Sequence, residues 1–148
     1  MAEAEEQHTK VKLINSCGHT LSLSGHHVWE GSHTTAFPET ILDGDSSQFT
    51  HVAGHADGSS AALAYELRDD GKKWVVAWSN PRGANTKVHT DIIDDHVNWE
   101  QVRIELETSN TADSETVRSR YKARESVDHP TEPSPTVTAS LKKRSDDT

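Results

Sequence analysis

The sequence predicts a mainly β protein: an antiparallel β-sandwich of about seven or eight short strands, with one short C-terminal helix and a disordered polar tail. Three observations carry this reading. Short segments of alternating apolar and polar residues recur between Lys10 and Ile93, separated by turn-forming residues. All eight glycines fall between Gly18 and Gly83, where tight turns are needed. Beyond residue 107 there is no Trp, Phe, Ile, Met or Cys, while Pro130, Pro133 and Pro135 join many Ser, Thr and charged residues.

The length of 148 residues sets one domain as the expectation. Hydrophobic content of 32% and a mean hydropathy of -0.78 are low for a chain packed along its whole length. The reading therefore divides the chain into a flexible N-terminus (1–9), a sandwich domain (10–107) and a disordered tail (108–148). The tail carries too little apolar surface to offset the entropy of ordering it.

The elements follow in order. "KVKLIN" puts Val11 and Leu13 on one face, and "TLSLSG" repeats the pattern with Leu21 and Leu23. The turn "NSCGH" between them predicts a hairpin. "HHVWEG" is a third segment, and Pro38 in "FPET" marks a loop or an edge. "TILDGDSSQFTHVAG" holds two short strands around an Asp-Gly-Asp turn. "SAALAYEL" places Ala61, Leu63, Tyr65 and Leu67 on one face. "RDDGKK" is the strongest turn signal, because Asp-Gly accepts positive φ. "KWVVAWS" then points Trp74, Val76 and Trp78 one way and Val75 and Ala77 the other, before a final strand in "TKVHTDII". Helical periodicity appears in "NWEQVRIELETSN", where Trp99, Val102 and Leu106 share a face. Asn98 is its N-cap, and Gln101 is placed to complete a capping box. "SETVRSRYKARE" in the tail offers only a transient helix.

The net charge is -9, all of it carried before residue 108. An acidic domain argues against nucleic acid as a partner, since such binding rests on neutralising phosphates. It argues equally against electrostatic docking on an anionic membrane. The acidic N-terminus lacks the apolar stretch of a secretory signal, and no run approaches a transmembrane length. A cytoplasmic or nucleocytoplasmic protein is expected; the short basic cluster in "LKKRSDD" reads as part of a solvated tail rather than a nuclear address. A single cysteine, Cys17, excludes an internal disulfide.

The sequence lacks a G-x-S-x-G elbow and a phosphate-binding glycine loop. Cys17 beside His19 does not make a catalytic pair, because neighbours in a turn seldom face each other. The acidic stretch 91–95 suits weak calcium binding at most. Two constellations stand out. Ten histidines are many for this length, and His19, His27, His33 and His51 compose an alternative divalent-metal site for zinc, copper or nickel. Tryptophans beside polar loops suit a sugar or a lipid headgroup through stacking and hydrogen bonds. The candidate ligand-binding set is His27, Trp29, His51, Trp78, Asn80 and Asn85, with the 79–87 loop at the end of the sandwich.

The order of five segments resembles the small jasmonate-induced proteins of plants. They are Ile14-Asn15 with its strand, His27-Val28-Trp29-Glu30-Gly31, the loop from Pro38 through Ile41 to Gly44, Phe49-Thr50-His51-Val52, and Trp74 to Trp78. The likeness spans about residues 10–107. It implies a stress- or hormone-inducible plant protein with a role in defence, and implies no enzyme activity. More loosely, the strand pattern resembles the aegerolysins, β-sandwich proteins that bind membrane lipids. The function expected is thus a non-enzymatic stress or defence protein that needs no cofactor and binds a small polar ligand, glycan or lipid headgroup through its loops. The alternatives are the histidine-based metal binder and a small enzyme acting on a specialised plant metabolite.

Overall fold

In the computed structural model, β6 (Ser59–Leu67) and β7 (Lys73–Asn80) form the middle of one sheet, and their alternation sets both of its faces. Ala61, Leu63 and Tyr65 pair with Trp78, Val76 and Trp74 across the two strands, and all six enter the main core with Leu67. The intervening Ala62, Ala64, Val75 and Ala77 are small and face outward. The structure describes residues 8–33, 37–53, 58–81, 85–94, 96–109, 113–118, 120–129, 131 and 134–143.

The remaining strands are β1 (His8–Ser16), β2 (Leu21–Glu30), β3 (Ser32–His33), β4 (Thr40–Ile41), β5 (Ser46–Val52), β8 (Lys87–Ile93), β9 (Asp113–Arg118), β10 (Tyr121–Val127) and β11 (Thr136–Lys143). One helix, α1 (Trp99–Ser109), is described. Sheet A runs β3-β5-β1-β11-β10-β9 and sheet B runs β4-β2-β6-β7-β8. The core lies between them, from Val11 and Leu13 through Trp74 and Trp78 to Val137 and Leu141.

The sandwich, its dominant β content and its single short helix are as expected, with three corrections. First, 108–148 is not a disordered tail where it is described. It supplies β9, β10 and β11, half the strands of sheet A, and the stretch read as a transient helix is β9 and β10. Their inward residues are Tyr121, Ala123, Glu125, Val127, Val137, Ala139 and Leu141, apolar but for Glu125 and mostly small. Small side chains lower the hydropathy without removing the burial. The helix is therefore not C-terminal, and the strands among the described residues number eleven.

Second, the segments read as a hairpin are not paired. β1 pairs with β5 and β11, while β2 pairs with β4 and β6. The turn at Cys17 and Gly18, where Gly18 has φ +89, carries the chain from one sheet to the other. Third, the β1–β11 pairing is parallel, so the sandwich is not wholly antiparallel. Of the N-terminal stretch 1–9, His8 and Thr9 open β1, and residues 1–7 lie outside the described residues.

Helix α1 lies on the outer face of sheet B. Val102 and Leu106 bury against Ala62, Ala64, Val75 and Ala77. The Trp99 ring approaches Gly25 to where an added Cβ would sit 3.4 Å away, so the glycine makes room for the tryptophan. Asn98 caps the helix as expected: its Oδ1 accepts the Gln101 N–H at 3.1 Å. The Gln101 side chain donates to Glu105 Oε2 at 3.1 Å instead of closing a capping box. The turn at 68–71 has Asp69 at φ 68 and Gly71 at φ 87, the left-handed pair that Asp-Asp-Gly favours.

Sheet B would expose β8 as an edge, and β9 covers it with side chains. Ser114 Oγ accepts the Thr90 N–H at 3.1 Å, Thr116 Oγ1 donates to Thr90 O at 2.9 Å, and Arg118 donates to Ile92 O at 3.2 Å. A covered edge cannot template pairing with another chain.

Candidate functional site

Three of the predicted ligand residues meet, but inside the protein. His51 on β5, and Trp78 and Asn80 on β7, are buried. They belong to a polar network that ties the sheets together at one end. Ser59 on β6 is its hub. Its Oγ accepts from Thr9 Oγ1 at 2.9 Å and from Trp78 Nε1 at 3.3 Å, and lies 2.7 Å from His51 Nδ1. Asn80 extends the chain: its Nδ2 donates to Thr9 Oγ1 at 3.1 Å, and its Oδ1 accepts from Thr86 Oγ1 at 3.1 Å. Buried polar groups that satisfy one another hold a structure in one arrangement. We expect Ser59→Ala to cost about 1–3 kcal/mol, because buried donors lose their acceptor; urea denaturation measures it. Of the same loop, Asn85 is exposed and residues 82–84 lie outside the described residues.

His27 and Trp29 lie elsewhere, on the outer side of sheet B. The His27 ring is 5.3 Å from that of Trp29 and stacks at 6.1 Å on Trp99. Beside them a cavity of about 220 Å³ opens between α1 and the sheet, lined by Trp29, Glu30, Ser60, Ser79, Arg103, Leu106 and Glu107. Strand register builds its floor. Glu30 on β2 pairs with Ser60 on β6, which pairs with Ser79 on β7. The helix adds Arg103 and Glu107, paired Nε to Oε2 at 3.1 Å. Lys87, next in the row after Ser79, donates to the Glu107 carbonyl at 2.9 Å. The cleft thus offers an aromatic side chain, hydroxyls, carboxylates and a guanidinium within a small volume. Of the predicted set only Trp29 lines it. Glu30, Ser60, Ser79, Arg103 and Glu107 were missed, because only the register of three strands brings them together.

The predicted histidine metal site does not assemble among the described residues. His51 Nδ1 is 2.7 Å from Ser59 in the interior, and His27 lies outside sheet B against the two tryptophans. His19 is at the opposite end, its Nε2 2.9 Å from the Tyr121 hydroxyl. The side chain of His33 lies outside the description. The Tyr121 O–H donates to Asp70, joining the β1–β2 and β6–β7 turns to β10. Burial pushes the Tyr121 hydroxyl well above its ordinary pKa, and the bond to Asp70 adds to this. The nearby Cys17 thiol is buried and donates to the His19 carbonyl at 3.5 Å, not to its imidazole. Burial raises its pKa too, so it is not an activated nucleophile.

Comparison with known proteins supplies context for this geometry. A family model described as "Nakanori-like protein" matches residues 5–143. A curated "Jasmonate-induced protein homolog" from Atriplex canescens is 27% identical over 122 residues, covering 72% of this chain and 66% of that protein. This chain thus spans slightly less than two thirds of that relative, and the likeness read from the segment order is found. Among solved structures, "lipid binding protein Nakanori" superposes with a TM-score of 0.85 at 19% identity, covering 95% of this chain and 73% of that one. The wild-type lectin XCL of Xerocomus chrysenteron gives a TM-score of 0.64 at 12% identity, covering 93% of this chain and 99% of that one. At these identities the structural likenesses speak to the fold.

Proposed function

The chain belongs to the Nakanori-like protein family, and on that premise we propose that it is a non-enzymatic binding protein that takes a zwitterionic lipid headgroup in the Trp29 cleft. The composition of the cleft carries the proposal. A headgroup that pairs an ammonium with a phosphate needs an aromatic face and a carboxylate for the cation, and a fork of donors for the anion. Trp29 with Glu30 serves the first, and Arg103 the second. The net charge of -9 disfavours an anionic bilayer and leaves a neutral one accessible. The name of the Nakanori structure, a lipid binding protein, points the same way. Among the described residues the groups with raised pKa values, Cys17, Tyr65, Tyr121 and Glu125, line no part of this cleft. That supports binding rather than catalysis.

Co-sedimentation with vesicles tests the reading. Wild type should pellet with phosphatidylcholine vesicles and much less with phosphatidylglycerol vesicles, and soluble phosphocholine should compete. Trp29→Ala should weaken binding at least ten-fold while still melting cooperatively, at a somewhat lower temperature because the ring packs against the outer cluster. Equal binding by Trp29→Ala would remove the cleft from the account. A second reading rests on the same lining, since tryptophan beside hydroxyls and carboxylates also suits a sugar. Glycan binding without vesicle binding would select it.

The jasmonate-induced relative supports placing the protein in a plant stress or defence response, and we propose the cytoplasm as its place of action. Transcript abundance after jasmonate treatment and the distribution of a fluorescent fusion check these two statements. No helix among the described residues is long and apolar enough to cross a membrane.

A further inference from the structure

We infer that His89, Asp91 and Glu105 form a binding site for a first-row divalent cation, zinc foremost, between β8 and α1. His89 and Asp91 are two apart on β8 and share its outward face. Glu105 comes down from the helix. One ligand atom from each lies within 4.8 Å of the others. Zinc bonds of about 2.0–2.1 Å to nitrogen and oxygen place tetrahedral donors about 3.4 Å apart, a separation that small side-chain rotations reach from here.

The surrounding hydrogen bonds already orient the donors. Gln101 Nε2 donates to Glu105 Oε2 at 3.1 Å, and Glu105 Oε1 turns to His89. The Ile92 N–H donates to Asp91 Oδ1 at 2.8 Å, fixing that carboxylate beside its own strand. Such supporting bonds are what aims ligands at a metal.

The bland alternative is a His89–Glu105 ion pair. Its distance fits, at 3.0 Å from Nε2 to Oε1. Its direction does not: the buried Nε2 makes no aligned hydrogen bond with that oxygen or any other described group. An imidazole grouped with two carboxylates, its Nε2 close to one of them without a bond directed at it, suits a cation shared by all three. One nitrogen and two carboxylate oxygens are a donor set for zinc or its neighbours. An adjoining cavity of about 160 Å³, lined by Asp91 and Glu105 and also by His96, leaves room for a further ligand or water. A bound ion would fasten α1 to β8.

Titration of the full chain with zinc chloride in a calorimeter, beside thermal melts, tests the site. Wild type should bind one zinc saturably and melt higher with zinc present. Binding should weaken on acidification, since the ligands must be deprotonated. Glu105→Gln and Asp91→Asn should each weaken binding at least ten-fold and lose the melting shift, while melting without metal close to wild type. His129→Gln, an exposed control, should bind as wild type. Absence of saturable binding by wild type would overturn the site. So would unchanged binding in Glu105→Gln and Asp91→Asn, which would assign the zinc to other histidines. If one carboxylate variant fails to fold, the other still decides.

Discussion

A chain ending at residue 128 is expected not to fold. The cut removes β11, which lies between β1 and β10 in sheet A. Its register runs Lys10 to Ser16 on one side and Tyr121 to Val127 on the other, so both neighbours lose their ladder. Val137, Ala139 and Leu141, each 0% exposed, leave the core. Full burial of Val and Leu is worth about 1.5–3 kcal/mol each, against a total stability of about 5–15 kcal/mol. The hydrogen bonds and the stranded β9–β10 pair come on top. Circular dichroism melts of the truncated chain should show no cooperative transition, and its amide resonances should collapse to narrow dispersion. A cooperative melt near wild type would return this segment to a dispensable tail. Leu141→Ala is the milder form, expected to cost about 2–5 kcal/mol.

Replacing Glu125 by Gln should stabilise the protein at neutral and alkaline pH. Glu125 faces inward from β10 at 0% exposure, and neither carboxyl oxygen completes a hydrogen bond among the described residues. Burial raises its pKa well above the ordinary carboxylate value. The Ala77 and His89 backbone groups in the facing sheet favour the ionised form, but by less than burial opposes it, and no charged side chain contributes. The folded protein therefore holds the proton that the unfolded chain releases above about pH 4.3. Stability is full below that value. It falls as pH rises towards the folded pKa, by about 1.4 kcal/mol per pH unit. Glu125→Gln lacks the titrating proton. Its denaturation midpoint should match wild type near pH 4 and exceed it at pH 7. Parallel pH profiles for the two proteins would show that Glu125 does not titrate on unfolding.

The residues that announced the fold are those whose alternation is strong. On β6 and β7, the faces read from sequence are the faces observed. The helix was legible from Asn98 and from the spacing of Val102 and Leu106. β10 and β11 alternate as regularly, but with Ala123 and Ala139 at inward positions and Glu125 where an apolar residue belongs. They share one core with Trp74 and Trp78, so bulk on one sheet meets small side chains on the other. Hydropathy summed along the chain cannot see that exchange. The candidate site was less legible still. Trp29 was found because tryptophan is conspicuous. Its partners Glu30, Ser60 and Ser79 are ordinary residues until strand register lines them up. His51, Trp78 and Asn80, read together as ligand contacts, meet one another in the interior instead. Polar residues near a strand end look alike in sequence whether they face solvent or one another.

The parallel pairing of β1 with β11 bears on how the molecule is made. The His8 N–H and Ser134 Oγ, partners across that seam, are 126 residues apart. A ribosome makes β11 about 126 residues after β1, so β1 waits for one of its two neighbours while all the intervening strands are made. Closing so distant a contact is entropically slow, and β-rich domains of this kind fold over milliseconds to seconds. During that interval the nascent chain presents an unpaired edge of β1 to its surroundings, the condition under which newly made strands find the wrong partner.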